Sequence, residues 1–181
     1  VLAFVLSRHF RRLAEAEAAS ESTATRLAAL ADTLPSGLYM TDAHGNVVFT
    51  NRALLDVFDV QSLPPGMSFV DAPGWVFKDW SGRPIPPEEM PAQVVLRTRE
   101  PVNDRRYLVV TPGKRHAYVS ANATPVFDDE GRPTGAIVAV NDLTRLQLQR
   151  AELERRGRVL AMVSAVERAL TRGQAEQELM N

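Results

Sequence analysis

The segment from Asn103 to Thr144 constrains the fold more than any other part of the chain. Two β-rich runs, Asp104 to Thr111 and Arg115 to Phe127, are separated by Pro112-Gly113-Lys114. A second turn, Asp128-Asp129-Glu130-Gly131-Arg132-Pro133, leads into a third run, Thr134 to Val140. Runs of this kind joined by turns that carry Gly predict an antiparallel meander, because a sharp reversal needs a residue that tolerates positive φ. Within the second run Ala117, Val119, Ala121 and Ala123 share one parity, and Tyr118, Ser120, Asn122 and Thr124 share the other. That is the period of a strand with one face in a core. The run 136–140 is apolar at every position, which predicts a strand covered on both faces. The meander ends on Asp142-Leu143-Thr144, where a charged helical pattern takes over.

The flanks read as long helices. Residues 1 to about 34 hold no Gly or Pro before Pro35 and are dominated by Ala, Glu, Arg and Leu, all good helix formers apart from their caps. Leu6, Leu13, Ser20, Leu27 and Leu34 recur every seven residues, with Phe10, Ala24 and Ala31 four residues after members of the series. This spacing fits a modest coiled coil, or a helix packed on its own domain. Past Asp142, Leu146, Leu153 and Leu160 keep the same spacing, joined by Val163 and Leu170. Gly157 predicts a weak point in this helix, at about 1 kcal/mol relative to Ala, and Gly173 predicts its end. Between the flanks, residues 61–91 carry seven prolines and both tryptophans, Trp75 and Trp80. Proline at that density predicts loops and single helical turns. Pro87 suits an early helix position with Glu88 and Glu89 near the positive dipole end, giving a helix to about Thr98 with Met90, Val94, Val95 and the Arg97 stem against the sheet.

Chemistry-bearing patterns are few. The chain has no Cys, which excludes disulfides, thiolate catalysis and Cys-based metal sites. It has no G-x-S-x-G, H-E-x-x-H, P-loop or G-x-G-x-x-G pattern, and so no catalytic constellation is expected. His9, His44 and His116 are not at metal-ligand spacing, and no metal is expected. His44 reads as a polar turn residue. The net charge of −1 over 181 residues gives no global field for nucleic acid. Arg155-Arg156-Gly157-Arg158 follows Glu152 and Glu154 and reads as a solvated helix face, so no nucleic-acid partner is expected. No run of about 20 apolar residues spans a bilayer. Val1 to Leu6 are all apolar and precede Arg8, Arg11 and Arg12. This reads either as the cytoplasmic end of a transmembrane helix with its positive residues inside, or as the start of an amphipathic helix.

The meander resembles the second half of a PAS domain. Gly37-Leu38-Tyr39-Met40-Thr41-Asp42, Ala43-His44-Gly45-Asn46 and Val47-Val48-Phe49-Thr50-Asn51 resemble its opening hairpin, and Arg52 to Phe58 the short helix after it. Trp80-Ser81-Gly82-Arg83-Pro84-Ile85-Pro86-Pro87-Glu88-Glu89-Met90-Pro91 is similar to a subtype common in bacterial signalling proteins, with Ser81 where Asp is usual. The resemblance covers residues 34–146. It implies an α+β fold: a five-stranded antiparallel sheet, short helices on one face, and long N- and C-terminal helices, the first covering the outer face of the sheet. The division that follows is a signalling helix over 1–34, a PAS domain over 35–144, and over 145–181 a linker helix leading to an output domain beyond the chain.

The resemblance also implies a sensory and dimerisation module of a cytoplasmic bacterial signalling protein, tethered to the inner membrane if Val1 to Leu6 ends a transmembrane helix. The expected parent is a sensor histidine kinase, with a diguanylate cyclase, a PP2C-type phosphatase or a ligand-free dimerisation spacer as alternatives. The fragment itself is not expected to be an enzyme. Tyr39, Phe58, Val95, Val119 and Ile137 are the candidates for a pocket holding a small organic ligand, and they equally suit a plain core. Asp142 and Thr144 read as the cap of the exit helix or, beyond that, as the relay from strand to output. The expected partners are a second copy through the terminal helices and the output domain in the same chain. A LOV-type flavin needs Cys and a haem in this family often takes a His on the long helix; neither residue is in place. The purified protein should therefore be colourless, and a haem band or a light-bleached flavin spectrum would contradict this.

Overall fold

The computed structural model describes residues 22–64, 66–69 and 72–179. Of the long N-terminal helix expected over 1–34, only residues 22–32 (α1) are described as helical. Val1 to Leu6, Leu13 and Ser20 lie outside the described residues. Then come β1 (Gly37–Asp42), β2 (Val47–Thr50), α2 (Arg52–Phe58), β3 (Val76–Lys78), a 3-10 turn (Pro87–Glu89), α3 (Pro91–Thr98), β4 (Val102–Val110), β5 (His116–Phe127), β6 (Pro133–Asp142) and α4 (Thr144–Leu179). The chain divides into two compact units, the first ending at Asp142 and the second starting at Leu143.

The first unit is an antiparallel sheet in the order β2-β1-β6-β5-β4-β3. The meander is observed as read: β4 pairs with β5 and β5 with β6. Ala117, Val119, Ala121 and Ala123 are all buried, as their shared parity predicts. The sheet has six strands and not five, because Val76–Lys78 adds a three-residue edge against Val110, Val109 and Leu108. The proline density of 61–91 pointed to loops, but the stretch between Pro73 and Pro84 has none. An edge strand needs only one side of its ladder, so so short a gap suffices.

Proline also breaks the helix expected from Pro87 to Thr98. Pro91 bars Met90 from the helical region, and Met90 takes φ −64°, ψ 141°. The result is a 3-10 turn, an extended residue, and α3. Met90, Pro91, Ala92 and Val95 are buried, whereas Arg97 is exposed. The expected break in the C-terminal helix is not observed: α4 passes through both Gly157 and Gly173 to Leu179. A cost of about 1 kcal/mol per glycine weakens a helix without ending it.

Three turns share one device. Asp42 Oδ1 accepts from the backbone N–H of His44 and Asn46, Asp79 Oδ1 from Ser81 and Arg83, and Asp128 Oδ1 from Glu130 and Arg132, all at 2.8–3.0 Å. Each reads D-x-x-G-x in sequence, and the Gly takes positive φ, 92° at Gly82 and 74° at Gly131. The hydrogen bond from the Ser81 side chain, with Arg83 adding, holds the Asp79 carboxyl at about 2.

α2, α3 and the 3-10 turn lie on the face of the sheet that carries Tyr39, Tyr107, Val109, Val119 and Val138, and together they enclose the core. The opposite face of β6 is only partly covered: Ile137 is 36% exposed and Ala139 half-buried. The expectation that both faces of 136–140 are covered is therefore corrected. α1 is exposed except at Ala28 and Ala31, and it ends against Asn51 and Arg52. Asn51 itself is 1% exposed. Its Oδ1 accepts from the N–H of Leu38 (2.7 Å) and Leu54 (3.0 Å), and its Nδ2 donates to the carbonyls of Ala31 (2.8 Å) and Ser36 (3.0 Å).

Two outcomes follow. Asn51→Ala should cost about 3 kcal/mol, since it strips partners from several sheltered backbone groups at once; urea denaturation measures it, and a loss under about 1 kcal/mol would contradict the accounting. The Asp79 carboxylate should titrate near 2 by NMR, and Ser81→Ala should move it upward. Its contribution to stability is present above the ordinary aspartate pKa and is lost as the pH falls through the lowered value.

Candidate ligand cavity and relay strand

Five aromatic side chains converge where the proline-rich segment folds over the sheet. Phe69 packs edge-to-face on Tyr39 (ring centroids 5.0 Å), Phe58 (5.7 Å), Trp75 (5.6 Å) and Phe77 (6.2 Å). Rigid rings meeting edge-on leave angular gaps that flexible side chains must fill. One gap stays open. It lies between Tyr39, Phe58, Phe69 and Phe77, Met90 and Pro91 at the start of α3, and Tyr107, Val109, Val119, Ala121 and Val140 of the sheet. The space for the centre of a water-sized sphere is about 20 Å³, close to what one water molecule needs.

Two phenols line this cavity. Burial pushes the Tyr39 hydroxyl well above its ordinary range, and the nearby Tyr107 adds to the effect. Burial does the same to Tyr107, against a partial counter-pull from the Arg105 guanidinium. Both therefore stay protonated at any physiological pH. The Tyr107 hydroxyl is buried and its proton meets no acceptor among the described residues; the Arg105 guanidinium beside it can only donate. Beside it, Glu89 accepts from Arg83 at 3.2 Å and from Arg105 at 3.1 Å, a charged rim on the outside of the apolar space.

Of the residues expected in the pocket, Tyr39, Phe58 and Val119 line the cavity. Val95 is fully buried in the core, but it is not a wall of the cavity. Ile137 is on the wrong side of the sheet. Ala136, Val138 and Val140 have the inward parity on β6, and Ile137 between them faces outward. An all-apolar run hides its parity, which is why Ile137 was drawn into the pocket. Sequence reasoning missed Phe69, Phe77, Met90 and Tyr107. For Tyr107 a signal existed: it alternates with Val109 along β4 and pairs with Val119. For Phe69 and Phe77 the signal is coarser: aromatics in a proline-rich segment are expected to lean on the core, but nothing in their spacing places them at the cavity.

The candidate relay residues follow directly from the cavity. Val140 is a cavity wall, Asp142 ends the same strand two residues later, and Thr144 is the first residue of α4. The N–H of Gln147 donates to the carbonyl of Leu143, which gives Leu143 the N-cap position and places Asp142 one residue before it. A residue not anticipated joins this end of β6 to the core: Arg115 lies 3.9 Å from the Asp142 carboxylate and donates to the Asp56 carbonyl of α2 at 3.2 Å. Both ionic partners are partly exposed, so the pair adds little stability. Among the described residues no group of His, Asp and Glu is placed to hold a metal ion, and no helix is long and apolar enough to cross a membrane.

The two buried phenols give a direct check. In a Tyr118→Phe background, folded protein should show no phenolate absorbance at 295 nm as the pH passes the ordinary tyrosine value of about 10. Stability should fall above that pH, because unfolding releases protons the folded state retains. An ionisation near 10 in the folded state would contradict the burial of both hydroxyls.

Comparison with known proteins agrees with this architecture. The PAS domain of a protein from Colwellia psychrerythraea superposes with a TM-score of 0.51 at 10% identity, over 68% of this chain and 98% of that one. A VqmA dimer of Vibrio cholerae, solved in the absence of target DNA, gives 0.50 at 18% identity, over 67% of this chain and 52% of that one. The PAS domain of Bordetella pertussis BvgS gives 0.47 at 20% identity, over 75% of this chain and 98% of that one. This chain thus spans about half the length of VqmA. No curated protein matches the chain. The PAS fold family matches residues 31–148, more than half of the sequence; the chain belongs to that family and carries a PAS sensory module.

Proposed function

We propose that this module senses through the cavity between α3 and the sheet and relays its state through β6 to a downstream output domain, in first preference that of a sensor histidine kinase. One observation carries the reading: a cavity wall, Val140, and the start of the exit helix, Thr144, lie on one uninterrupted stretch of chain. A shift of β6 at the cavity reaches Asp142 within two residues, and Arg115 ties that end of the strand to α2. In this reading Asp142 and Thr144 set the angle and register of the exit helix. The module, in this reading, has no catalytic role of its own and carries no haem or flavin.

The same reading makes the protein a homodimer through its terminal helices. Leu146, Leu153 and Leu160 are 58%, 67% and 68% exposed along α4, and Leu27 and Leu34 are exposed around α1. A row of large apolar side chains at seven-residue spacing is the seam of a coiled coil. VqmA is itself described as a dimer that binds target DNA. For this chain we propose the dimer and not the DNA, since Glu152 pairs with Arg155 and Arg156 and so neutralises much of the basic run. A diguanylate cyclase or PP2C-type phosphatase output, or a ligand-free dimerisation spacer, is the alternative.

Two experiments test the proposal. Asp142→Ala and Thr144→Ala, placed in a protein with its output domain attached, should uncouple output from signal while lowering the stability of the PAS module by no more than about 1 kcal/mol, the worth of a partly exposed ion pair; normal regulation in both variants would reduce the motif to structure alone. Light scattering should find a dimer for this chain and a weaker one for a version starting near Ala31; monomers in both at high concentration would remove the coiled-coil reading.

A further inference from the structure

Tyr107 is 3% exposed, and its hydroxyl proton meets no acceptor among the described residues, although the Arg105 guanidinium lies close enough to donate toward the phenol oxygen. A hydroxyl both donates and accepts. The nearest basic group, Arg105, only donates, so it cannot receive the phenol proton. The nearby carboxylate, Glu89, is held by Arg83 and Arg105. The Tyr39 hydroxyl can accept but makes no hydrogen bond with Tyr107, so the site lacks an acceptor within reach, and Tyr107 lines the cavity. The rest of the wall is hydrocarbon and aromatic ring, with the Tyr39 phenol as the other polar group. A charged guest would enter this space without a counter-charge, at a large desolvation cost. The void at rest admits about one water-sized centre, so a guest of several heavy atoms enters only if the wall yields. One wall is Met90, an unbranched thioether that repacks around an irregular guest more readily than a ring does.

We propose that the cavity is built for a small uncharged molecule of a few heavy atoms whose hydrogen-bond acceptor, such as a carbonyl oxygen, takes the proton of the Tyr107 hydroxyl; this rests on the reading of the cavity as the sensory site. A water molecule fits the volume but finds only two phenols on the wall, fewer partners than buried water usually has. An anion or a cation is disfavoured by the same wall.

The test uses three molecules of nearly the same shape on the whole chain, with methyl NMR of Val109, Val119 and Val140 as the readout. They are 2-butanone (an acceptor), 2-methyl-1-butene (the same skeleton with no acceptor) and propionate (an anion). In the unmodified protein 2-butanone should shift these methyls saturably, at least threefold more tightly than the alkene, and propionate should not bind. Tyr107→Phe should weaken 2-butanone roughly two- to tenfold, the worth of one net hydrogen bond, and should leave the alkene unweakened. Tyr39→Phe should preserve the preference for the ketone. Equal binding of ketone and alkene in the unmodified protein overturns the proposal without any variant. So does a preference that survives Tyr107→Phe. If propionate alone binds, the ligand class is wrong and the sensory cavity stands. If none of the three shifts a cavity methyl, the class and the cavity as sensory site both fall.

Discussion

The side chain of Asn51 holds four backbone groups at once. Its oxygen takes the N–H of Leu38 in β1 and of Leu54 in α2, and its nitrogen serves the carbonyls of Ala31 and Ser36. A side-chain amide is suited to this, with two donors and a carbonyl that accepts twice. The amide caps α2 and fixes the end of α1 and the start of β1 by the same bonds. Sheltered backbone groups without partners are costly, so these three elements are coupled: none can move without orphaning a group in another. α2 in turn supplies Leu54, Val57 and Phe58 to the core, and Phe58 is one of the rings around the cavity. The position of that wall thus traces back to one amide.

Proline shapes the opposite wall. Pro91 forces Met90 into an extended conformation, and this separates the 3-10 turn from α3. Met90 and Pro91 then both face the cavity. A continuous helix from Pro87 would carry Glu88 and Glu89 around its axis, whereas the broken one keeps Glu89 at the rim between Arg83 and Arg105. Charge is therefore held outside and hydrocarbon inside. The buried phenols of Tyr39 and Tyr107 are the inner polar groups, and burial keeps both neutral.

Between these walls runs β6, paired with β1 along one edge and β5 along the other. A central strand is the stiffest part of a sheet because both of its ladders must shift together. That suits the relay from Val140 to Asp142 proposed above. Arg115 adds a second, looser tie: it donates to the Asp56 carbonyl of α2, which Asn51 braces, and lies 3.9 Å from the Asp142 carboxylate at the end of β6.

The meander, its turns and the inward parity of β5 were legible in the sequence because they are local. Turn chemistry needs Asp and Gly within five residues, and strand parity needs only alternation, as Ala117 to Ala123 display. The order of motifs carried the family as well. Other features were decided only by tertiary structure. Ile137 and Val138 are equally apolar, and only the pairing of β6 with β1 and β5 chose which one faces the core. Val76–Lys78 is too short to declare itself and became a strand because the edge of β4 was there to receive it. Phe69 had no periodic context, yet it contacts four other rings. The open space beside Tyr107 is a remainder of how those rigid rings meet, and a remainder of packing has no local code. Composition can say that a core will form; where it fails to close is settled by shapes brought together from distant parts of the chain.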